Sequence, residues 1–209
     1  MMSEHSLLAF AVTSTIIEVT PGPNMAYLAV LALSAGRQAG LAAVAGIAVG
    51  LLCIGAAVSA GLATVLSSSH LAYEILRWGG AIYLLWLAWE GWRDAPQDGS
   101  YSAGPDSQTQ FFVKGLVTNL LNPKAAIFYV MVLPSFIDEE RPLAGQTAIL
   151  LAIYVTIASV IHIFVVMMAD WARASTVQNS NSTTLVRKIL AILLALIAVW
   201  LFVSAQRAV

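Results

Sequence analysis

Thr20-Pro21-Gly22-Pro23-Asn24 lies inside AVTSTIIEVTPGPNMAYLAVLALSAG (residues 11–36), an apolar run of helical length that also carries Glu18. Each proline removes a backbone donor and clashes with the carbonyl four residues earlier, so this run cannot be one uninterrupted helix. Composition decides which solvent the run meets. Of 209 residues, 59% are hydrophobic and 10% charged, and mean hydropathy is +0.83; an ordinary soluble domain carries about 25% charged residues. The chain is therefore read as an integral membrane protein, with TPGPN a break inside a spanning helix.

A hydrocarbon core about 30 Å thick takes roughly 20 apolar residues per helix. Six such runs occur, near 7–33, 40–66, 71–92, 112–137, 144–169 and 186–206. The predicted fold is all-α: six transmembrane helices forming two inverted three-helix repeats, with proline-broken first and fourth helices. One polytopic domain spans 1–209, with repeat one at about 7–92, a cytoplasmic loop at about 93–111 and repeat two at about 112–206. RDAPQDGSYSAGPDSQTQ (93–110) and RASTVQNSNSTTLVRK (173–188) read as solvated loops from their Ser, Gly, Pro, Asn and Gln content. MMSEHSLLAF has no basic residue before the apolar run, unlike a cleaved leader, so the first helix is expected to be retained.

Basic residues near span ends set orientation. Arg37, Arg93, Lys114, Arg173, Arg187 and Lys188 fall in odd-numbered loops, against Arg77, Arg141 and Arg207 on the other side. Odd loops are expected in the cytoplasm and both termini outside.

The inverted repeat has a trace in the sequence. At an offset of 100, PNMAYLAVLAL (23–33) lies over PKAAIFYVMVL (123–133) and matches Pro23 with Pro123, Ala26 with Ala126, Val30 with Val130 and Leu33 with Leu133. Pro21, Pro23 and Pro123 are expected to free the carbonyls of Ile17, Val19 and Asn119, each costing several kcal/mol in lipid unless satisfied. Two such breaks at matching places in two halves point to a midplane binding site; a pair of ordinary proline kinks, common in transmembrane helices, is the plainer alternative.

Glu18 and Lys124 lie beside those breaks, and a central charge costs about 2.5–3.5 kcal/mol on insertion scales unless it is paired or wetted. Either they form one locking ion pair, or Lys124 snorkels to a nearby interface, or Glu18 exchanges a proton or binds a cation while Lys124 attracts a carboxylate. Helices resuming at Pro23 and Pro123 would add positive N-terminal dipoles. Pro21, Gly22, Pro23, Asn24, Tyr27, Asn119, Asn122, Pro123 and Lys124 are the candidate substrate-binding residues, with Thr20 beside them. Carbonyls and Glu18 suit an ammonium, Lys124 and helix N-termini a carboxylate; together they suit an amino acid zwitterion. His162, with Tyr154, Thr156 and Ser159 nearby, forms a second polar patch, read as an interhelical hydrogen bonder or a proton relay. Glu18 and His162 are the candidate ion-coupling residues.

Other features exclude classes. Net charge is −1, so no basic surface for nucleic acid exists. Cys53 has no partner for a redox pair and reads as a packing residue. His5, His70 and His162 are scattered, giving no metal site, and no catalytic constellation or cofactor motif is present. Gly46 and Gly50 form a GxxxG for close packing within the chain or across a homo-oligomer interface. A structural or assembly subunit and, further off, a metal-ion exporter are the alternatives to transport of a small polar solute.

TPGPN, SAGRQAGLAAVAGIAVG, LRWGGAIYLLWLAWEGWR and FFVKGLVTNLLNPKAAIFYVMVLPSFI occur in this order. The chain resembles the LysE/RhtB family of amino acid exporters from about residue 7 onward. The resemblance implies six spans and efflux of amino acids or close derivatives across the bacterial inner membrane, driven by an ion gradient or membrane potential. It also implies that the family's PGP signature falls on Pro21, Gly22 and Pro23, and its NPK signature on Asn122, Pro123 and Lys124. STVQNSNSTT departs from the strongly basic loop typical before span six.

Overall fold

The computed structural model describes residues 3–59, 70–93, 105–138 and 140–176, with isolated positions 192, 195, 196 and 199. The end of span two, residues 94–104 of the first polar loop, the second polar loop from 177, span six apart from those positions and the C-terminus fall outside the described residues. Every regular element among the described residues is helical.

Helix α1 (Glu4–Val19) begins where the Ser3 hydroxyl accepts the Ser6 N–H at 3.1 Å, with Glu4 favourably placed in the first turn. It stops at Thr20 because Pro21 cannot continue it. Helix α2 (Pro23–Ala57) resumes with proline at its first position, where the missing N–H has no partner to lose. At Gly36 the backbone leaves helical geometry, with φ 83° and ψ 178°. A Cβ built on Gly40 lies 3.4 Å from the Ala32 Cβ, whereas eight residues of straight helix advance about 12 Å. The run is therefore a hairpin, and residues 23–35 and 37–57 are its two arms.

Helix α3 (His70–Arg93) follows, then α4 (Pro105–Leu120) and α5 (Pro123–Phe136). α5 is α-helical to Ile127, π-helical over Phe128–Val132 and 3-10 over Leu133–Phe136. The bent pair Ser107–Leu120 and Pro123–Phe136 meets at 51°. Helix α6 (Leu143–Thr176) completes the described chain. By length and composition, Leu143–Ala174 is apolar enough to cross a membrane and the bent pair supplies another crossing if counted as one; Pro23–Ala57 is also long and apolar enough, but it folds back at Gly36.

Three expectations change. The first polar loop ends earlier than expected, because Pro105–Gln110 is helical and opens α4 with proline at its start. α6 carries its helix through Thr176, absorbing the start of the second loop. Cys53 is exposed, so it is no packing residue of the interior.

The interior holds Ser14, Glu18, Asn24, Asn119 and His162, while Leu8, Val12, Ile16, Val160, Ile163, Phe164, Met167 and Met168 face outward. Polar groups inside and large apolar side chains outside suit a hydrocarbon solvent. α2 packs chiefly on α4 and α6, and α1 on α6. Built Cβ atoms on Gly46 and Gly115 would meet the Phe112 carbonyl at 2.0 Å and the Ala43 carbonyl at 2.2 Å. The glycines thus let the second arm of α2 lie backbone to backbone against α4.

Gly36 closes one end of this assembly. The Arg37 N–H donates to the Asp170 carboxylate at 3.1 Å, and Arg173 stands 3.8 Å from the same oxygen. Only glycine adopts this φ/ψ readily, and other residues pay about 1–3 kcal/mol. A Cβ there would also sit 2.8 Å from the Arg173 guanidinium. Gly36→Ala is expected to lower stability by about that 1–3 kcal/mol, read as a drop in thermal midpoint in detergent. An unchanged midpoint would mean the hairpin turn is not fixed as described.

Candidate functional site

The two helix breaks face each other. At the first, the helix resumes at Pro23 behind an extended Gly22; at the second, it resumes at Pro123 behind Asn122, whose side chain accepts the Lys124 N–H at 3.0 Å. The breaks therefore fall at the positions the offset of 100 aligns. The Lys124 ammonium crosses to the first break and donates to the Thr20 carbonyl at 2.7 Å. Gly22 makes room for it, since a Cβ there would lie 3.1 Å from Lys124 Cδ. Deeper in, the Asn24 side-chain amide Nδ2 donates to the Asn119 side-chain oxygen Oδ1 at 2.8 Å. Thr20 pairs with Lys124 and Asn24 with Asn119, so the two broken helices cross in opposite directions.

The local turns satisfy backbone groups that were expected to stay free. The Ile17 carbonyl accepts the Thr20 N–H at 3.2 Å, and the Asn119 carbonyl accepts the Asn122 N–H at 2.9 Å. The carbonyl offered across the gap is that of Thr20 instead. Thr20 and Pro21 are exposed and Lys124 is half-buried, whereas Pro23, Asn24, Tyr27, Asn119, Asn122 and Pro123 are buried. Asn122 is engaged in capping α5.

Glu18 and Lys124 do not pair directly. Glu18 instead accepts the Tyr154 hydroxyl at 2.6 Å and stands 3.5 Å from His162 Nε2. Glu18 is 5% exposed and His162 1% exposed, so a carboxylate and an imidazole are buried together between α1 and α6. The patch around His162 was expected to be separate from the breaks. The fold merges the two: Glu18 lies two residues before Thr20, and its partners come from α6.

Sequence reading overlooked several members of this site. Tyr154, noticed only as a neighbour of His162, holds Glu18 directly. Ser14, one turn before Glu18, and Tyr129, one helical position after Phe128, are fully buried. Among the described residues, their hydroxyls, both ring nitrogens of His162, the Asn24 side-chain oxygen and the Asn119 side-chain nitrogen have no hydrogen-bond partner. Each such orphan costs about 1–3 kcal/mol. A signal existed: Leu150, Tyr154, Ala158, His162 and Val166 recur every four residues, as do Phe10, Ser14 and Glu18, marking single inward stripes. Without a partner surface those stripes could not be matched to each other.

A helical membrane protein with charged and amide side chains gathered at two facing helix breaks belongs to the class of polytopic membrane proteins with a buried polar site. The particular family follows from comparison: the family described as LysE type translocator matches residues 15–205, and the chain belongs to it. An uncharacterized membrane protein of Vibrio cholerae is 33% identical over 161 residues, covering 77% of this chain and 78% of the relative. The homoserine/homoserine lactone efflux protein of Salmonella typhimurium is 34% identical over 143 residues, covering 68% and 69%. The leucine efflux protein of Klebsiella pneumoniae is 29% identical over 154 residues, covering 73% of each. No solved structure matches.

Proposed function

We propose that the chain exports amino acids or close derivatives from the cytoplasm as a secondary transporter, using the proton gradient. Family membership and relatives named for efflux of homoserine, homoserine lactone and leucine support amino acid export. The observation that carries the site is the Lys124 ammonium bound to the Thr20 carbonyl across two facing breaks. A cation held by a neutral carbonyl is free to exchange that partner for a carboxylate, a stronger acceptor. The N-terminal ends of the helices resuming at Pro23 and Pro123 favour the same anion.

In this reading the substrate carboxylate takes Lys124, and Asn24, Tyr27 and Asn119 line its path as the Asn24–Asn119 clasp opens. Pro21, Gly22, Pro23, Asn122 and Pro123 shape the breaks. Glu18, with His162, exchanges the coupling proton and biases the swing between inward- and outward-open states, a bias that requires different affinity in the two. The opposite direction of the two broken helices supports two inverted repeats within one six-span domain, with span six beyond the described residues. Arg37 and Arg173 meet at one end of the bundle and Arg141 pairs with Asp138 elsewhere, which fits odd loops in the cytoplasm, termini in the periplasm and an inner-membrane location.

The test is efflux of a panel of labelled amino acids from proteoliposomes. Lys124→Met is expected to raise the apparent KM of the transported amino acid about 10- to 100-fold, the worth of a charge-assisted hydrogen bond of about 1.5–3 kcal/mol. Amines lacking a carboxylate should not discriminate the two proteins. An unchanged KM for a transported amino acid would remove Lys124 from the site.

A further inference from the structure

Glu18 is tied to the second broken helix by way of α6. Its carboxylate accepts the Tyr154 hydroxyl at 2.6 Å, and the Tyr154 ring stacks on Phe128 with centroids 3.7 Å apart and planes 11° from parallel. Tyr129 packs on Tyr154 edge to face, with ring centroids 5.3 Å apart and planes 89° to each other. Phe128 is the first residue of the π-helical turn, and its carbonyl accepts the Leu133 N–H five residues on. A π turn holds one residue more than the α-helical register and is a place where a helix can change phase. Phe10 of α1 and Phe136 of α5 lie beyond, with ring centroids 5.2 Å apart, so the stack is embedded between the two broken helices.

We infer that Tyr154 is a positioning residue that links the charge on Glu18 to the π turn of α5. The charged carboxylate accepts the hydroxyl strongly and fixes the ring against Phe128. When Glu18 takes up a proton, that charge-assisted bond weakens, the ring is released and the turn is free to shift register beside Lys124. No bond is made or broken except that of the proton moving between water and the Glu18 carboxylate. The groups facing Glu18 are Tyr154 and His162 from α6, Tyr129 from α5 and Lys124 across the break. His162 stands at 3.5 Å, with no hydrogen bond, and Lys124 is occupied by Thr20. Tyr154 is therefore the closest hydrogen-bond donor to the carboxylate, and the ring system that follows it leads to α5.

The inference rests on proton coupling at Glu18, and the experiment separates the two. Purified protein in liposomes is assayed for efflux driven by a pH gradient across external pH, and for substrate exchange at equal pH, in wild type, Glu18→Gln, Tyr154→Phe and Phe128→Leu. Tyr154→Phe keeps the stack and loses the hydroxyl. Removing a donor to the charged carboxylate favours proton uptake at less acid pH, so the pH profile of Tyr154→Phe should move to less acid pH. Phe128→Leu should leave the midpoint in place and lower the maximal gradient-driven rate. If Glu18→Gln loses gradient drive but Tyr154→Phe keeps the wild-type midpoint, the role of Tyr154 is overturned and the coupling site stands. If Glu18→Gln keeps both drive and pH profile, the coupling reading fails, and this inference with it. Should Phe128→Leu misfold, the Tyr154→Phe midpoint decides alone.

Discussion

Glu18→Gln is expected to reduce efflux driven by a pH gradient to the background of empty liposomes, while substrate exchange at equal pH persists. Glutamine matches glutamate in shape and its oxygen can still accept the Tyr154 hydroxyl, so the pocket between α1 and α6 keeps its packing. What it cannot do is take up and release a proton. On the proposed coupling, acidifying the outside of wild-type liposomes should supply protons to Glu18 and raise efflux as external pH falls. The variant should show no such dependence at any pH. Replacing a buried carboxylate by a neutral amide also removes a desolvated charge, so thermal stability should hold or rise. Wild-type acid dependence in the variant would place coupling elsewhere in the chain.

The second large effect is steric. Gly46→Val is expected to prevent stable folding, and Gly46→Ala to cost about 3 kcal/mol or more, at or above the usual cost of overpacking. The reason is what the new carbon meets. It would lie 2.0 Å from the Phe112 carbonyl oxygen and 2.8 Å from the Leu116 nitrogen, both backbone atoms that cannot rotate aside. α2 and α4 would have to separate, and Asn119, which packs on Gly50 one turn along, would be drawn away from Asn24. Gly145→Ala is the control. Nothing lies within 4 Å of a Cβ there, so its stability should stay within about 0.5 kcal/mol of wild type. Detergent thermal unfolding and elution profile distinguish the two, and a monodisperse Gly46→Val protein with an unchanged midpoint would contradict the close α2–α4 contact.

Much was legible in local chemistry. Pro21 and Pro23 remove two backbone donors on either side of Gly22, so the first break was legible from covalent structure, and Pro123 after Asn122 marked the second in the same way. Membrane class followed from composition, because too few charged residues are present to cover a soluble surface. Family membership was readable because four segments, from TPGPN to the stretch carrying NPK, occur in order along the chain. Gly36 is different. Glycine is common in such helices, and nothing around residue 36 distinguishes a hairpin turn from a packing position until Gly40 is found against Ala32.

The sequence by itself determined that two helices break, that Glu18 and Lys124 sit beside those breaks, and that each must find a partner out of lipid. Which partner was decided by the tertiary structure. Opposite charges at similar depth invite the reading of one ion pair, yet Lys124 reaches Thr20 and Glu18 reaches Tyr154 and His162. The choice depends on how α6 lays its every-fourth-residue stripe against that of α1, a contact between residues 136 positions apart. Periodicity assigns a residue to a face of its own helix; only the packing of helix on helix decides which faces meet.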